Sequence, residues 1–507
     1  MSRNYNIIAN NVAMRGFFSE YLPPCFVLPQ KIFRHIPSIS CDIIEPYYFT
    51  MSKHNNTDSR RIIAIPEIGA YLVGYNYMKE NGIFKELIEF TETSNHSFSP
   101  ILDRNDNIYM HDEAYEETVD KGEFSKTTYI DNIIEKIIRS KGAKKILKLD
   151  ISNCYSSFYT HMIPAIVLGY DKTEEEYDKY RKNNQEDIDE VYIRYKKLDD
   201  ILRKQNLNRT NGLLTGTIFS KIVSEAILTR VDKELDEYNI NYVRYVDDYE
   251  IFLYDDNEKQ IETIFSKVLK KYGFSLNSEK KEIIDFPFYI IENFEKIIGN
   301  KLNKEDVPTY VENEELIELF NEFYSIEKKG TKGAIRYLLK TMENKALSFE
   351  NEELFKSYLI TSMTNNDRSL TKACNIFIKH KEAMQLNDDE STIIVKMLEK
   401  NLNNSYDLEC IWLIYLLLKM DVDIPDDIMS KVLCSDNELM HCILINIGDL
   451  KEEQLNIIVN NAKSWILLYE LYYNNHITEE QFFDRAHIEN NNQMYQKLKN
   501  NNIHFVC

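Results

Sequence analysis

The run Tyr242-Val243-Arg244-Tyr245-Val246-Asp247-Asp248-Tyr249-Glu250-Ile251-Phe252-Leu253-Tyr254 limits the folds open to this chain more than any other stretch. Two segments rich in β-branched and aromatic residues meet at an acidic pair, which predicts a hairpin with Asp247 and Asp248 at its tip. Such a tip is costly, because adjacent like charges repel and flanking rings limit their hydration. A divalent cation would relieve that cost; the plainer alternative is a surface hairpin. Asp-Asp alone carries little meaning here, since Asp199-Asp200, Asp255-Asp256, Asp388-Asp389 and Asp426-Asp427 read as solvated turns or helix starts. Only Asp247-Asp248 is embedded in apolar strand sequence on both sides.

The chain upstream supplies further carboxylate and cation candidates. Residues 1–55 place Pro23, Pro24, Pro29 and Pro37 among apolar segments and read as an extended arm. Arg60 and Arg61 precede a short strand over 62–66, and 71–90 has helical periodicity. Residues 103–128 read as a polar, acidic loop, followed by a helix over 129–140 that ends at Gly142. Residues 146–151 alternate as a strand, with Asp150 where it emerges before a turn and helix. A carboxylate there suits a metal ligand. The alternative is a helix N-cap, which Ser152 or Asn153 would serve better. Residues 171–208 are dense in charge and Tyr and read as a solvated helical insertion, and 212–220 is a small-residue turn opening a helix. Gly216 in that turn permits close approach of a backbone or a base. After the hairpin come an amphipathic helix over 258–272, a strand starting at 274–277, and Lys280 and Lys281 on an exposed side.

Strands and helices alternate over 56–298, an α+β pattern with an antiparallel hairpin at its centre. Over 299–507 helices dominate, separated by connectors rich in Asn and Asp. Eleven are predicted, at 314–324, 334–342, 352–362, 370–380, 392–402, 408–420, 428–433, 439–447, 453–460, 462–473 and 479–490. Without a strict repeat, their pairing predicts a degenerate α-solenoid of HEAT-like type.

A hydrophobic share of 43% and a charged share of 28% are those of a globular chain. The net charge of −21, acidic in both halves, argues against extensive tracking of a nucleic-acid duplex, because that affinity rests on neutralised phosphates. A local basic channel stays open. The longest apolar run, 411–418, is too short to cross a bilayer, so no membrane partner is expected. The start shows no basic-then-apolar leader pattern, and eight cysteines are scattered without C-x-x-C spacing. A cytoplasmic protein with reduced thiols is the expectation.

Asp150, the Gly216 turn and Asp247-Asp248 occur in the order of the palm motifs of a reverse transcriptase. Leu149-Asp150-Ile151-Ser152-Asn153-Cys154-Tyr155 resembles the first acidic motif, and Leu213 to Ser220 is similar to the L-P-Q-G-x-x-x-S turn. Tyr245-Val246-Asp247-Asp248 matches the Y-x-D-D hairpin, Leu276-Asn277-Ser278-Glu279-Lys280 the L-N-x-x-K motif, and Arg60 to Pro66 is similar to the opening fingers motif. The resemblance implies a fingers-palm fold over 56–298 and phosphoryl transfer with two Mg²⁺ ions. It makes Asp150 and Asp247 metal ligands together with the Ile151 carbonyl, with Asp248 assisting. It gives Tyr155 the exclusion of a ribose 2′-hydroxyl, so that dNTPs are the substrates, and sets Lys280 against the departing phosphates. Arg60 or Arg61 would hold the triphosphate. Where reverse transcriptases carry Pro-Gln, at the turn that positions a nucleotide against a template base, this chain has Leu214-Thr215.

A palm followed by a helical-repeat half in place of a thumb resembles the abortive-infection, AbiK-like, defence-associated reverse transcriptases of bacteria. That resemblance implies anti-phage defence, a homo-oligomer, and template-independent synthesis of single-stranded DNA on a protein hydroxyl. The primer would be a Tyr, with Tyr5, Tyr21, Tyr47 and Tyr48 of the arm as candidates. Two alternatives stand beside it. One is an RNA-templated reverse transcriptase using a companion non-coding RNA, and the other an inactive palm acting as an oligomeric scaffold or sensor. Clustered carboxylates kept without a metal argue against the latter.

Overall fold

Asp150 ends a strand that lies inside a four-stranded sheet, the largest among the described residues. The computed structural model describes residues 3–35, 42–53, 59–103, 106, 108, 128–182, 187–289, 294–302, 308–331, 333–343 and 345–507. Most of the polar 103–128 segment lies outside them. The strands in chain order are β1 (Tyr47–Ser52), β2 (Arg60–Ile65), β3 (Lys145–Asp150), β4 (Tyr242–Tyr245), β5 (Asp248–Leu253), β6 (Glu282–Asp285), β7 (Thr309–Val311) and β8 (Leu347–Phe349). β4, β5, β3 and β6 lie side by side in that order, each pair antiparallel. β1 and β2 form a separate antiparallel ribbon, and β7 and β8 a short parallel one.

Successive strand residues point to opposite faces, and the two faces of the main sheet pack into different cores. Leu147, Leu149, Tyr249, Ile251 and Leu253 join the main core, which includes the helix Ile218–Leu235. Ile146, Val243 and Phe252 form a small second cluster with Phe98, Ile284 and Phe288. The Ile218–Leu235 helix is buried nearly all round, as a helix enclosed by its own protein must be. Its N-cap is Thr217, whose hydroxyl accepts from the Ser220 N–H at 3.3 Å.

Several sequence expectations are corrected. The arm begins as a helix, Tyr5–Arg15, capped by Asn4, and is not extended throughout. The single helix expected over 71–90 is two, Ile68–Glu80 and Ile83–Thr91, broken at Gly82 with φ +67°. The segment read as solvated contains a helix, Glu190–Gln205, which buries Tyr192, Tyr195, Leu198, Ile201 and Leu202 and packs on Ile68–Glu80. The strand expected at 274–277 reduces to one bridge between Leu276 and Ile151.

Beyond residue 312 the helices stack in two rows. Ala334–Glu343, Asp367–Lys379, Asp407–Lys419, Glu438–Ile447 and Trp465–Tyr473 pack each on the next. Asn313–Lys328, Glu352–Asn365, Asp388–Asn403, Asp426–Leu433 and Glu452–Asn461 form the second row. The rows are joined to the first half rather than set apart from it. Asp407–Lys419 packs on β1, Trp412 Nε1 donates to the Tyr21 carbonyl at 2.7 Å, and Phe26 bridges Val506. No described helix is long and apolar enough to cross a membrane.

Candidate active site

Register alone brings two of the three carboxylates together. β3 and β5 pair with Asp150 opposite Asp248, and directly opposed residues of an antiparallel pair share a face. β4 and β5 pair through Tyr245 and Asp248, which leaves Val246 and Asp247 as a two-residue loop. Hairpin loops of this length need positive φ, and Val246 has φ +53°. For a β-branched residue that conformation costs on the order of 1–3 kcal/mol and persists only when its surroundings enforce it. Two hydrogen bonds do so here. The Ile151 N–H donates to the Asp247 carbonyl at 3.1 Å, and Arg244 Nη1 donates to the Val246 carbonyl at 3.0 Å.

Asp150 is 4% exposed. Its Oδ2 accepts from Lys280 Nζ at 2.7 Å, while its buried Oδ1 has no hydrogen-bond partner among the described residues. A buried acceptor left unpaired is costly, and a cation is the usual remedy. Burial, and then the charge of Asp150, pushes Asp247 above the usual carboxylate range. Asp248 rises to about 6 through burial and the charges of Asp247 and Asp150, and a proton on it would be shared with Asp150. Burial by itself would lower the Lys280 ammonium, but its bond to Asp150 and the three carboxylate charges hold it above its ordinary value. Among the described residues no three His, Cys, Asp or Glu side chains already converge as a metal cage. The lysine is the cation now at Asp150, and the orphaned Oδ1 fits a second one.

The structure separates the two arginines. Adjacent strand residues face opposite ways, and Arg60 turns to the helical half. Its Nη1 donates to Glu409 Oε1 at 2.9 Å, and its guanidinium stacks 4.2 Å over Tyr406. Arg61 is exposed, and its charge acts on Asp247 and on Tyr155. Arg61 therefore faces the acidic cluster and Arg60 does not.

Tyr155 follows the turn after β3, in the short helix Cys154–Ser157, and its carbonyl accepts from the Leu213 N–H at 2.8 Å. Its hydroxyl is pushed up by burial, then by Cys154, Asp247 and Glu225, with Arg61 opposing. The Gly216 turn is pinned to β2, where the Ala64 N–H donates to the Thr215 carbonyl at 2.8 Å. Gly216 has φ +105°, and a Cβ there would stand 2.5 Å from Ile63 Cγ2. The close approach that this glycine permits is thus by strand β2.

The four arm tyrosines are dispersed. Tyr5 donates to Glu89 Oε1 at 3.1 Å, and the Tyr21 ring lies 6.0 Å from the Arg336 guanidinium. Tyr47 is buried, its hydroxyl accepting from the Glu438 N–H at 2.9 Å, and Tyr48 is half-buried on β1.

Sequence reasoning missed Arg244, which is 0% exposed and paired with Glu225 and Asp232. A signal was present. A cation sits in a strand of buried residues, and two acids lie seven apart on an apolar helix, two turns along one face.

No protein-family model matches the chain, and no curated protein matches it. Among solved structures it is similar to telomerase from Candida albicans in complex with a TWJ fragment of telomeric RNA, at 14% identity and a TM-score of 0.27, covering 83% of this chain and 67% of that one. It is similar to telomerase from Candida tropicalis in complex with the same kind of RNA fragment, at 11% identity and a TM-score of 0.30, covering 81% and 65%. Apo telomerase from Candida tropicalis gives 12% identity and a TM-score of 0.31, covering 80% and 70%. The chain spans about two thirds of the length of these telomerase chains. The likeness is remote, and the site's own geometry carries the functional reading.

Proposed function

We propose that this chain is a DNA polymerase of reverse-transcriptase type, with Asp150, Asp247 and Asp248 as its catalytic carboxylates. One observation carries the reading. Asp150 and Asp248 are paired in register on one sheet face, and Asp150 keeps a buried oxygen that has no partner among the described residues. In this reading Asp150, Asp247 and the Ile151 carbonyl would hold two Mg²⁺ ions, which when bound activate the attacking oxygen and stabilise the leaving pyrophosphate. Asp248 adds negative charge beside them. Arg61 holds the triphosphate, and Tyr155 restricts the sugar side of the nucleotide, so dNTPs are the substrates. Lys280, now bonded to Asp150, would be the cation that meets the departing phosphates. Gly216 serves by letting its turn lie against β2, which carries Arg61.

The finer reading follows the resemblance drawn from the motifs. It is an anti-phage defence enzyme, protein-primed and template-independent, working as a homo-oligomer with HEAT-like repeats in the thumb's place. The acidic balance of −21 supports an enzyme that holds no long duplex. Tyr47 is a poor primer, because its hydroxyl is buried against Glu438.

The test is to incubate purified protein with Mg²⁺ and each labelled dNTP, without template or primer, and follow label on the polypeptide in a denaturing gel. A nuclease-sensitive ladder, absent from Asp247→Ala/Asp248→Ala, is the expected result. Label that appears only when co-purified RNA is retained would transfer the reading to an RNA-templated enzyme. No label under either condition would leave a scaffold.

A further inference from the structure

We propose that Arg244 is a positioning residue that holds the turn of Val246 and Asp247 in its strained form, and so sets where Asp247 and Asp248 stand against Asp150. Its consequence for catalysis rests on the polymerase reading; its geometry does not.

A guanidinium has five N–H donors in a fixed fork, and each has an acceptor here. Nη1 and Nη2 grip Glu225 Oε2 and Oε1 at 3.0 and 2.9 Å. Nε and Nη2 grip Asp232 Oδ1 and Oδ2 at 3.1 and 2.7 Å. The fifth goes to the Val246 carbonyl at 3.0 Å. Both acids are themselves tethered. Ser97 Oγ donates to Glu225 Oε1 at 2.6 Å, and Ser94 Oγ and the Tyr242 hydroxyl donate to Asp232 at 2.7 and 3.0 Å. The main chain of Arg244 is fixed too, its N–H donating to the His96 carbonyl at 2.8 Å and its carbonyl accepting from the Phe98 N–H at 2.7 Å.

A buried ion cluster is weak grounds for inferring stability, since well-packed apolar residues do as well. What apolar residues cannot do is aim a donor at a chosen carbonyl. The carbonyl chosen is that of Val246, the one residue of β4, β5 and their loop at positive φ. One residue further lies Asp247, and the next, Asp248, is already registered against Asp150. The helix Ile218–Leu235 thus dictates the shape of the hairpin tip through one side chain.

The experiment uses the full chain and pairs Arg244→Lys with Val246→Gly. Lysine keeps the charge and loses the fork; glycine adopts positive φ without strain and so needs no clamp. Mn²⁺ binding is measured by calorimetry, with dNTP turnover measured alongside. Arg244→Lys is expected to weaken Mn²⁺ binding and lower kcat by roughly 10²-fold, the scale of a misplaced catalytic group, with KM for dNTP unchanged. Adding Val246→Gly is expected to recover most of both losses. A folded Arg244→Lys protein with wild-type metal binding and kcat would overturn the proposal, and so would a loss that Val246→Gly leaves in place. If Arg244→Lys does not fold, the double variant decides: restored folding on adding Val246→Gly supports the clamp, and a double variant that also fails to fold refutes it. If the wild type binds no Mn²⁺, the polymerase reading fails on its own, and the clamp is read from Tm. Partial recovery of the Arg244→Lys loss by Val246→Gly supports it, and additive losses refute it.

Discussion

Lys280 sits where a divalent cation is expected to bind, with its ammonium 2.7 Å from Asp150 Oδ2 and its side chain 59% exposed. Lysine and metal compete for one carboxylate, the lysine at Oδ2 and the metal drawn to Oδ1. Lys280→Met is therefore expected to tighten Mn²⁺ binding by up to about fivefold, since a pair whose lysine is largely exposed is worth on the order of 1 kcal/mol, while slowing turnover. Calorimetry beside a kinetic assay checks both signs. Looser Mn²⁺ binding in the variant would mean that the lysine supports the metal site. Asp150 and Asp247-Asp248 were legible in the sequence, because each stands at the end of an apolar, alternating run. Arg244 was not, because its partners Glu225 and Asp232 lie on a distant segment that reads only as core helix. Which arginine faces the acids was equally hidden, since adjacent residues of one strand are told apart only by what lies on either side.

At the scale of elements, the β1-β2 ribbon is where the site meets the helical half. Glu409 is buried and Arg60 mostly so, with side chains 2% and 13% exposed, whereas Arg61 next door is exposed. The two positions should fail differently. Glu409→Gln strips the partner from a buried cation and is expected to cost about 3 kcal/mol, seen as a lower Tm. Arg61→Met is expected to leave Tm in place and raise KM for dNTP by roughly tenfold, the value of one charge-assisted contact. A raised KM in Glu409→Gln at unchanged Tm would reverse the two assignments. Element by element, ten of the eleven predicted helices overlap a single observed helix of the two rows, because most are apolar at helical spacing and Asp407–Lys419 and Trp465–Tyr473 are apolar runs bounded by polar connectors. The eleventh, expected over 479–490, is Glu479–Ala486. β7 and β8 escaped because three residues give no periodicity, and the Tyr5–Arg15 helix escaped because the prolines that follow it dominate its surroundings.

Over the whole molecule, the last helical layer closes onto the arm. The Val27 N–H donates to the Phe505 carbonyl at 3.0 Å, the Cys507 N–H donates to the Cys25 carbonyl at 2.9 Å, and Phe17 packs on Trp465 and Phe505. At this seam Glu470 is fully buried, accepting from the Phe505 N–H at 2.8 Å and from Asn446 Nδ2 at 2.9 Å. Burial pushes its carboxyl up to about 7 from an ordinary 4.5. A carboxyl raised on folding binds its proton more tightly in the folded state, so its contribution to stability falls as pH rises from about 4.5 to about 7 and is level above that. Tm is expected to decline across that window, and Glu470→Gln is expected to flatten the slope. An unchanged slope would assign the pH dependence elsewhere.

In the proposed function, Asp150 and the hairpin acids form one centre for phosphoryl transfer. Its most direct measurement is pyrophosphate release from the four dNTPs in Mg²⁺, comparing the wild type with Asp150→Asn and with Asp247→Ala, after matched melting curves show all three folded. Release by the wild type is expected, with a loss of at least about 10³-fold in either variant, as for removal of a group that acts only in the transition state. Equal release by wild type and variants, or none from wild type with RNA and protein hydroxyls both present, would contradict it.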